Sequence, residues 1–234
     1  MTAKQTKPID LYYWTTPNGY KISILLEELG VPYTTHFVNI GKGEQFKPDF
    51  LAIAPNNRIP AVVDPEGPDG KPISIFESAA IMIYLADKFG RFHGRNPRER
   101  VVVDEWLMWQ MGGVGPMFGQ YGHFRNAAPE KIPYALTRYG NETHRLYRVM
   151  NTRLEGRDYV ADDYSIADMA LFGWVRNWHL RDIDIAEFRN VEAWHDRINA
   201  RPAVQRGLAV KPPPAPETKL EDKEAERKIL YGQR

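Results

Sequence analysis

The chain has 234 residues, 43% hydrophobic and 12% aromatic, a formal net charge of +1 and no cysteine. That length suits one large or two small domains, and the near-neutral balance gives no general electrostatic case for nucleic-acid or membrane-surface partners. Without cysteine there is no structural disulfide, no thiolate metal site and no Cys nucleophile, so any thiol chemistry must use the sulfur of a bound ligand.

Residues 1–8 read as an N-terminal extension. Lys4 and Lys7 are not followed by an apolar segment, and the longest apolar runs fall far short of a membrane span, so a cytoplasmic location is expected. Ile9 to Trp14 is a short β-rich run, followed by the turn-prone Thr16-Pro17-Asn18-Gly19. Ile22, Leu25, Leu26 and Leu29 then fall on one helical face, closed by Gly30 and Pro32. Tyr33 to Ile40 is a second strand, so the opening is βαβ with a parallel pair. A flexible loop, Gly41-Lys42-Gly43-Glu44-Gln45, leads to a short irregular helix over 48–54. Two further strands, Ala61-Val62-Val63 and Ile73-Ser74-Ile75-Phe76, flank a loop crowded with turn formers. Pro60 opens the first of them in a setting that suits a cis peptide. Glu77-Ser78 runs into an apolar-periodic helix ended by Gly90, with Ser78 at or near its N-terminus. The order β-α-β-α-β-β-α is that of a thioredoxin-like domain, over residues 9–90.

After a linker, 91–96, Asn96-Pro97-Arg98-Glu99 carries a cap, a first-turn proline and a glutamate at the capping-box position. A long helix through Trp106 and Trp109 is interrupted or kinked by Gly112-Gly113-Val114-Gly115-Pro116. The tryptophans form an apolar stripe, read as core or subunit interface. A helix spans about 130–154, Ser165 to Asp168 caps a buried helix, and 190–200 is the last clear helix, stopped by Arg201-Pro202. No convincing strand lies beyond Arg95, so 97–210 is an all-helical domain. Residues 211–234, a proline run and then mixed charges, read as an extended tail.

The chemistry gathers at two corners. Thr16, Pro17 and Asn18 lie at the carboxyl end of the first strand and the amino end of the first helix, the edge where parallel sheets bind ligands. A thiolate there would meet the positive helix end, the Thr16 hydroxyl and the Asn18 amide. A free thiol has a pKa of about 8.5, and two or three charge-assisted bonds of ~1.5–3 kcal/mol each would lower it by one or two units. Read plainly, the same residues only cap a helix. At the second corner Glu77, Ser78 and free helix N–H groups meet, able to hold an ammonium and a carboxylate together. The histidines contain no i,i+3 or i,i+4 pair, and no metal is expected.

Asn57-Arg58-Ile59-Pro60 with Phe76-Glu77-Ser78, preceded by Thr16-Pro17-Asn18-Gly19, resembles the glutathione-binding half of glutathione transferases, and of the Nu-class, disulfide-oxidoreductase branch in particular. The resemblance covers roughly residues 9–205. It implies that Ile59 offers its backbone to the cysteinyl moiety of glutathione, that Glu77 and Ser78 hold the γ-glutamyl end, and that Gln45, with Lys42 and Arg58, lies near the glycyl end. Read plainly, Lys42 is a solvated loop charge and Arg58 a partner for a carboxylate across the domain interface. Ser165 and Asp168 match the family's capping motif, a folding role. The stretch from Gly115 through Phe124 to Tyr134 resembles the Nu-class helical domain and implies two glutathiones, or one glutathione disulfide, per subunit. His123, Tyr134 and Arg138 are the candidates for the second molecule, an arginine suiting a carboxylate bidentately. A homodimer acting on a small disulfide or electrophile is implied as well. The leading expectation is a glutathione-dependent disulfide-bond reductase. The alternatives are conjugation of glutathione to electrophiles, hydroperoxide reduction, or a non-enzymatic scaffold. A tyrosine mechanism through Tyr12 or Tyr13 stays open beside Thr16 and Asn18.

Overall fold

In the computed structural model the first strand follows from strict alternation: Ile9, Leu11 and Tyr13 are buried, while Asp10 and Tyr12 are partly exposed. This strand, β1 (Ile9–Tyr13), leads through helix α1 (Pro17–Leu29) to β2 (Tyr33–Phe37), which pairs with it in parallel from Ile9↔Tyr33 to Tyr13↔Phe37. Gly30 ends α1 with φ 70°, a left-handed C-cap that glycine adopts without steric cost. Helix α2 (Pro48–Leu51) precedes β3 (Ala61–Asp64), which runs antiparallel to β1, and β4 (Ile73–Phe76) runs antiparallel to β3. The sheet order is β2-β1-β3-β4. Helix α3 (Ser78–Phe89) completes the thioredoxin-like arrangement. The Ile59–Pro60 peptide is cis.

The structure describes residues 5–214 and 220–232. Residues 1–4 of the N-terminal extension, and 215–219 and 233–234 of the tail, lie outside the described residues. The chain divides into two compact units, one formed by the residues up to 84 with those from 206 onward, the other by 85–205.

The second unit is helical: α4 (Pro97–Trp109), α5 (Gly115–Gly122), α6 (Pro133–Arg153), α7 (Ile166–Val175), α8 (Arg189–Asn199) and the first half of α9 (Pro202–Ala209). Among the described residues no strand follows Phe76. Asn96 caps α4 by accepting from the N–H groups of Arg98 and Glu99, both at 3.0 Å. The glycine-rich segment is a π-helical turn, Gln110–Val114, that carries α4 into α5 without a break. Trp106 and Trp109 pack edge to face, their ring centres 5.1 Å apart. The capping box of α7 is complete. Buried Asp168 accepts from Val160 N, Ser165 N, Ser165 Oγ and, at 2.8 Å, Trp194 Nε1.

Three expectations are corrected. The helix expected from about 130 begins at Pro133, because Pro129 and Pro133 bracket a non-helical stretch and a proline is accommodated in a first turn. Pro202 does not stop the helical region but opens α9 at its first position. The tail is not extended throughout: it holds α10 (Leu220–Tyr231), which packs on the turn Ile40–Lys42. Gly41 is buried beneath it, and a Cβ there would require the Glu226 side chain to shift.

Candidate functional site

Strand directions bring the first set of candidates together. β1 and β2 are parallel, β3 antiparallel to β1, and Tyr12 lies opposite Ala61, which in turn lies opposite Phe76. The exit of β1 toward Thr16, the entry to β3 at Ile59, and the exit of β4 at Glu77 and Ser78 therefore share one edge of the sheet. The exit of β2 toward the Ile40–Lys42 turn and Gln45 is at the same edge.

Thr16 is the N-cap of α1, with φ −141° and ψ 162°, and its Oγ1 accepts from Gly19 N at 3.0 Å. That bond uses an oxygen lone pair, and the hydroxyl proton can still be donated. The capping role and the thiolate-donor role are thus compatible. Pro17 fills the first helical position and Asn18 the second, both half-buried. Gly19 permits this geometry: a Cβ there would collide with the Trp14 carbonyl oxygen and lie 2.9 Å from the Tyr13 ring.

The two tyrosines are placed differently. Tyr13 is fully buried, its hydroxyl donates to Val210 O at 3.1 Å, and burial pushes its pKa well up. Tyr12 stacks on His36 at 4.9 Å, and burial followed by the charge of Asp10 raises its pKa. Neither environment favours a tyrosinate, and neither hydroxyl has the helix-end setting that Thr16 has.

Glu77 is exposed, has φ 69°, and its carboxylate accepts from Asn56 Nδ2 at 3.3 Å. A left-handed glutamate is a costly conformation, of the kind that persists where the surroundings over-determine a functional geometry. Ser78, 4% exposed, begins α3, and Ile59 is half-buried beside the cis peptide. The donor set suits a zwitterionic amino-acid end: a carboxylate for an ammonium, a hydroxyl and a helix N-terminus for a carboxylate.

Gln45 is only 2% exposed; its Nε2 donates to Ile40 O at 3.1 Å, and its Oε1 is buried without a hydrogen-bond partner. Its side chain is turned into the loop. Arg58 and Lys42 are both exposed, and among the described residues neither forms an ion pair.

A residue that sequence reasoning missed stands behind this corner. Lys21 of α1 is 1% exposed and its Nζ lies 3.2 Å from Ser78 Oγ. Burial lowers its pKa to about 7, against the opposing field of Glu77. The available signal was that Tyr20, Ile22, Ser23 and Ile24 beside it are compatible with a helix buried nearly all round, in which a lysine is anomalous.

In the helical unit, Tyr134 and Arg138 sit one turn apart on α6, both exposed, Tyr134 at 78%. His123 opens the π-helical turn His123–Ala127 and packs edge to face on Phe124, centres 5.2 Å apart. Tyr134 and Arg138 share a helix face, whereas His123 belongs to a separate turn. Among the described residues no group of three or more His, Cys, Asp or Glu side chains could hold a metal, and no helix is long and apolar enough to cross a membrane.

Family models for the glutathione S-transferase N-terminal and C-terminal domains match residues 15–88 and 135–202. The chain is 51% identical over 202 residues to the disulfide-bond oxidoreductase YfcG of Escherichia coli (strain K12), a match covering 86% of this chain and 94% of that protein. It is similar to a solved glutathione transferase from Burkholderia graminis with two glutathione molecules bound per subunit, at 46% identity and TM-score 0.83, over 88% of this chain and 89% of that one. A glutathione transferase from Pseudomonas putida with one glutathione disulfide bound per subunit matches at 43% identity and TM-score 0.85, over 89% of this chain and 94% of that one.

Proposed function

The chain belongs to the glutathione S-transferase family, and from that premise we propose that it reduces disulfide bonds with glutathione as the only source of reacting sulfur. The observation that carries this reading is the meeting of Thr16, Ile59, Glu77 and Ser78 at one sheet edge in a chain without cysteine. Solved relatives with two glutathiones or one glutathione disulfide per subunit support it, since those are the reactants and the product of such a reaction.

In this reading Glu77 takes the γ-glutamyl ammonium and Ser78 with the start of α3 takes the α-carboxylate. The Ile59 backbone pairs with the cysteinyl residue as an added strand. Gln45 braces the turn beside the glycyl end, where Arg58 supplies charge. The cysteinyl sulfur then lies at the N-terminus of α1, where Thr16 and Asn18 donate to it and hold it as a thiolate. His123, Tyr134 and Arg138 serve the second glutathione. The protein assembles as a homodimer in the manner of its family.

The thiolate attacks one sulfur of the substrate disulfide. A glutathione–substrate disulfide forms and the other substrate sulfur leaves as a thiolate, which takes up a proton. The thiolate of the second glutathione attacks the glutathione sulfur of this mixed disulfide, giving glutathione disulfide and the second substrate thiol. Two glutathiones are oxidised for each substrate disulfide reduced.

The test is reduction of bis(2-hydroxyethyl) disulfide by glutathione, followed through glutathione reductase, for the wild type and Asn18→Ala. The expected result is steady turnover in the wild type and a fall of about 10- to 100-fold in the variant, the worth of one charge-assisted bond. Turnover of an electrophile without turnover of the disulfide would replace this reading by conjugation. No turnover and no glutathione binding would leave a scaffold.

A further inference from the structure

Lys21 is the buried group that the mechanism above does not use. A lysine normally keeps its ammonium in water, and desolvating one costs several kcal/mol. Replacing a buried charge by an apolar side chain is often neutral or stabilising, so stability alone gives little reason for a lysine here. Its position gives another. Lys21 approaches the corner from α1, behind Ser78 and within the field of Glu77. In its charged form Lys21 only donates, so in the 3.2 Å contact Ser78 Oγ accepts, which biases the serine hydroxyl toward donating to an incoming carboxylate. The same positive charge opposes the two negative charges that meet when a γ-glutamyl carboxylate arrives beside Glu77.

We propose that Lys21 is a positioning residue that makes this corner selective for a ligand carrying an α-carboxylate: it orients the Ser78 hydroxyl as a donor and balances the carboxylate charge from inside the fold. The proposal rests on the reading of Glu77 and Ser78 as the γ-glutamyl subsite. It deepens that reading by assigning the source of selectivity to a residue that does not touch the ligand.

The experiment compares glutathione with its analogue lacking the α-carboxylate, 4-aminobutanoyl-cysteinyl-glycine. Each is used as the reductant of bis(2-hydroxyethyl) disulfide, and the binding of each is measured by calorimetry. The proteins are wild type, Lys21→Met, Lys21→Gln and Lys21→Arg. The wild type should prefer glutathione by about 10- to 100-fold in kcat/KM, the worth of a hydrogen bond to a charged group. The Met variant should lose most of that preference, through KM rather than kcat, and the Arg variant should recover part of it. If Lys21→Met does not fold, Lys21→Gln carries the same prediction, since it also removes the charge. Equal losses on both thiols, with the preference intact, would make Lys21 a structural core residue and overturn the proposal. A wild type that does not bind glutathione would overturn the underlying reading of the subsite. A wild type that binds glutathione and its analogue equally would overturn the selectivity itself.

Discussion

At the residue scale, one side chain is asked to do two jobs, and the jobs can be separated. Thr16 caps α1 through its oxygen and is proposed to stabilise a thiolate through its proton. Thr16→Ala should cost about 1 kcal/mol in chemical denaturation, whereas Thr16→Gly should cost only a few tenths. Both should lower disulfide-reductase kcat/KM about 10-fold or more, and Thr16→Ser should preserve stability and rate alike. If the rates followed stability across the three variants, Thr16 would be a cap and nothing else. Lys21 makes a second prediction, in pH. Its pKa is lowered from an ordinary 10.5 to about 7 by burial, with Glu77 opposing. Between those values the unfolded chain binds more of the proton, so stability rises with pH across that window. The penalty is full below about pH 7 and absent above about 10.5. Denaturation of wild type and Lys21→Met at pH 6 and pH 9 should therefore show the variant gaining relative to the wild type at the lower pH, by about 1 kcal/mol or more. A difference unchanged between the two would contradict that electrostatic account.

At the element scale, the placement of α1 depends on a missing side chain. Gly19 lets the helix start lie directly against the end of β1, and a Cβ would meet both the Trp14 carbonyl and the Tyr13 ring. Gly19→Ala should cost about 1–3 kcal/mol, the range for overpacking, and should lower activity by displacing Thr16 and Asn18. Denaturation and the coupled assay check the two parts, and an unperturbed variant would show that the helix start can move freely. The local elements were the most legible in the sequence. Caps such as Asn96 and Ser165 with Asp168 act over three residues, and the amphipathic face of α1 is read from spacing alone. Pro202 was misread because a proline that cannot continue one helix is equally able to begin the next. The helix α10 was obscured by its charge: Leu220, Ile229 and Leu230 sit among acids and bases, and the surface that receives it, Gly41 to Gly43, is distant in sequence.

At the scale of the whole molecule, the sheet topology made the first set of candidates legible. Once the βαβ start and the hairpin were placed, Thr16, Ile59, Glu77 and Ser78 had to share an edge. Lys21 was barely legible: Tyr20, Ile22, Ser23 and Ile24 beside it allow a helix buried nearly all round, but only the packing around α1 tells a buried lysine from one on a solvated face. Gln45 was named from resemblance, yet its side chain is spent largely on its own loop, a fact that only packing reveals. The absence of cysteine has a direct consequence for the whole protein. Treatment with iodoacetamide, followed by removal of the reagent, should leave disulfide-reductase activity unchanged, where an enzyme using its own thiol would be inactivated. Loss of activity would implicate some other reactive side chain in the turnover.

The central claim is that the protein holds the sulfur of bound glutathione as a thiolate at the N-terminus of α1. The most direct measurement is the ultraviolet absorbance of the thiolate near 240 nm, titrated against pH in the glutathione complex of the wild type and of Asn18→Ala. A free thiol ionises at about 8.5. The wild-type complex should ionise one or two units lower, with the variant moved back toward the free value. Ionisation of bound glutathione at the free value would contradict the account, whatever the rate of turnover.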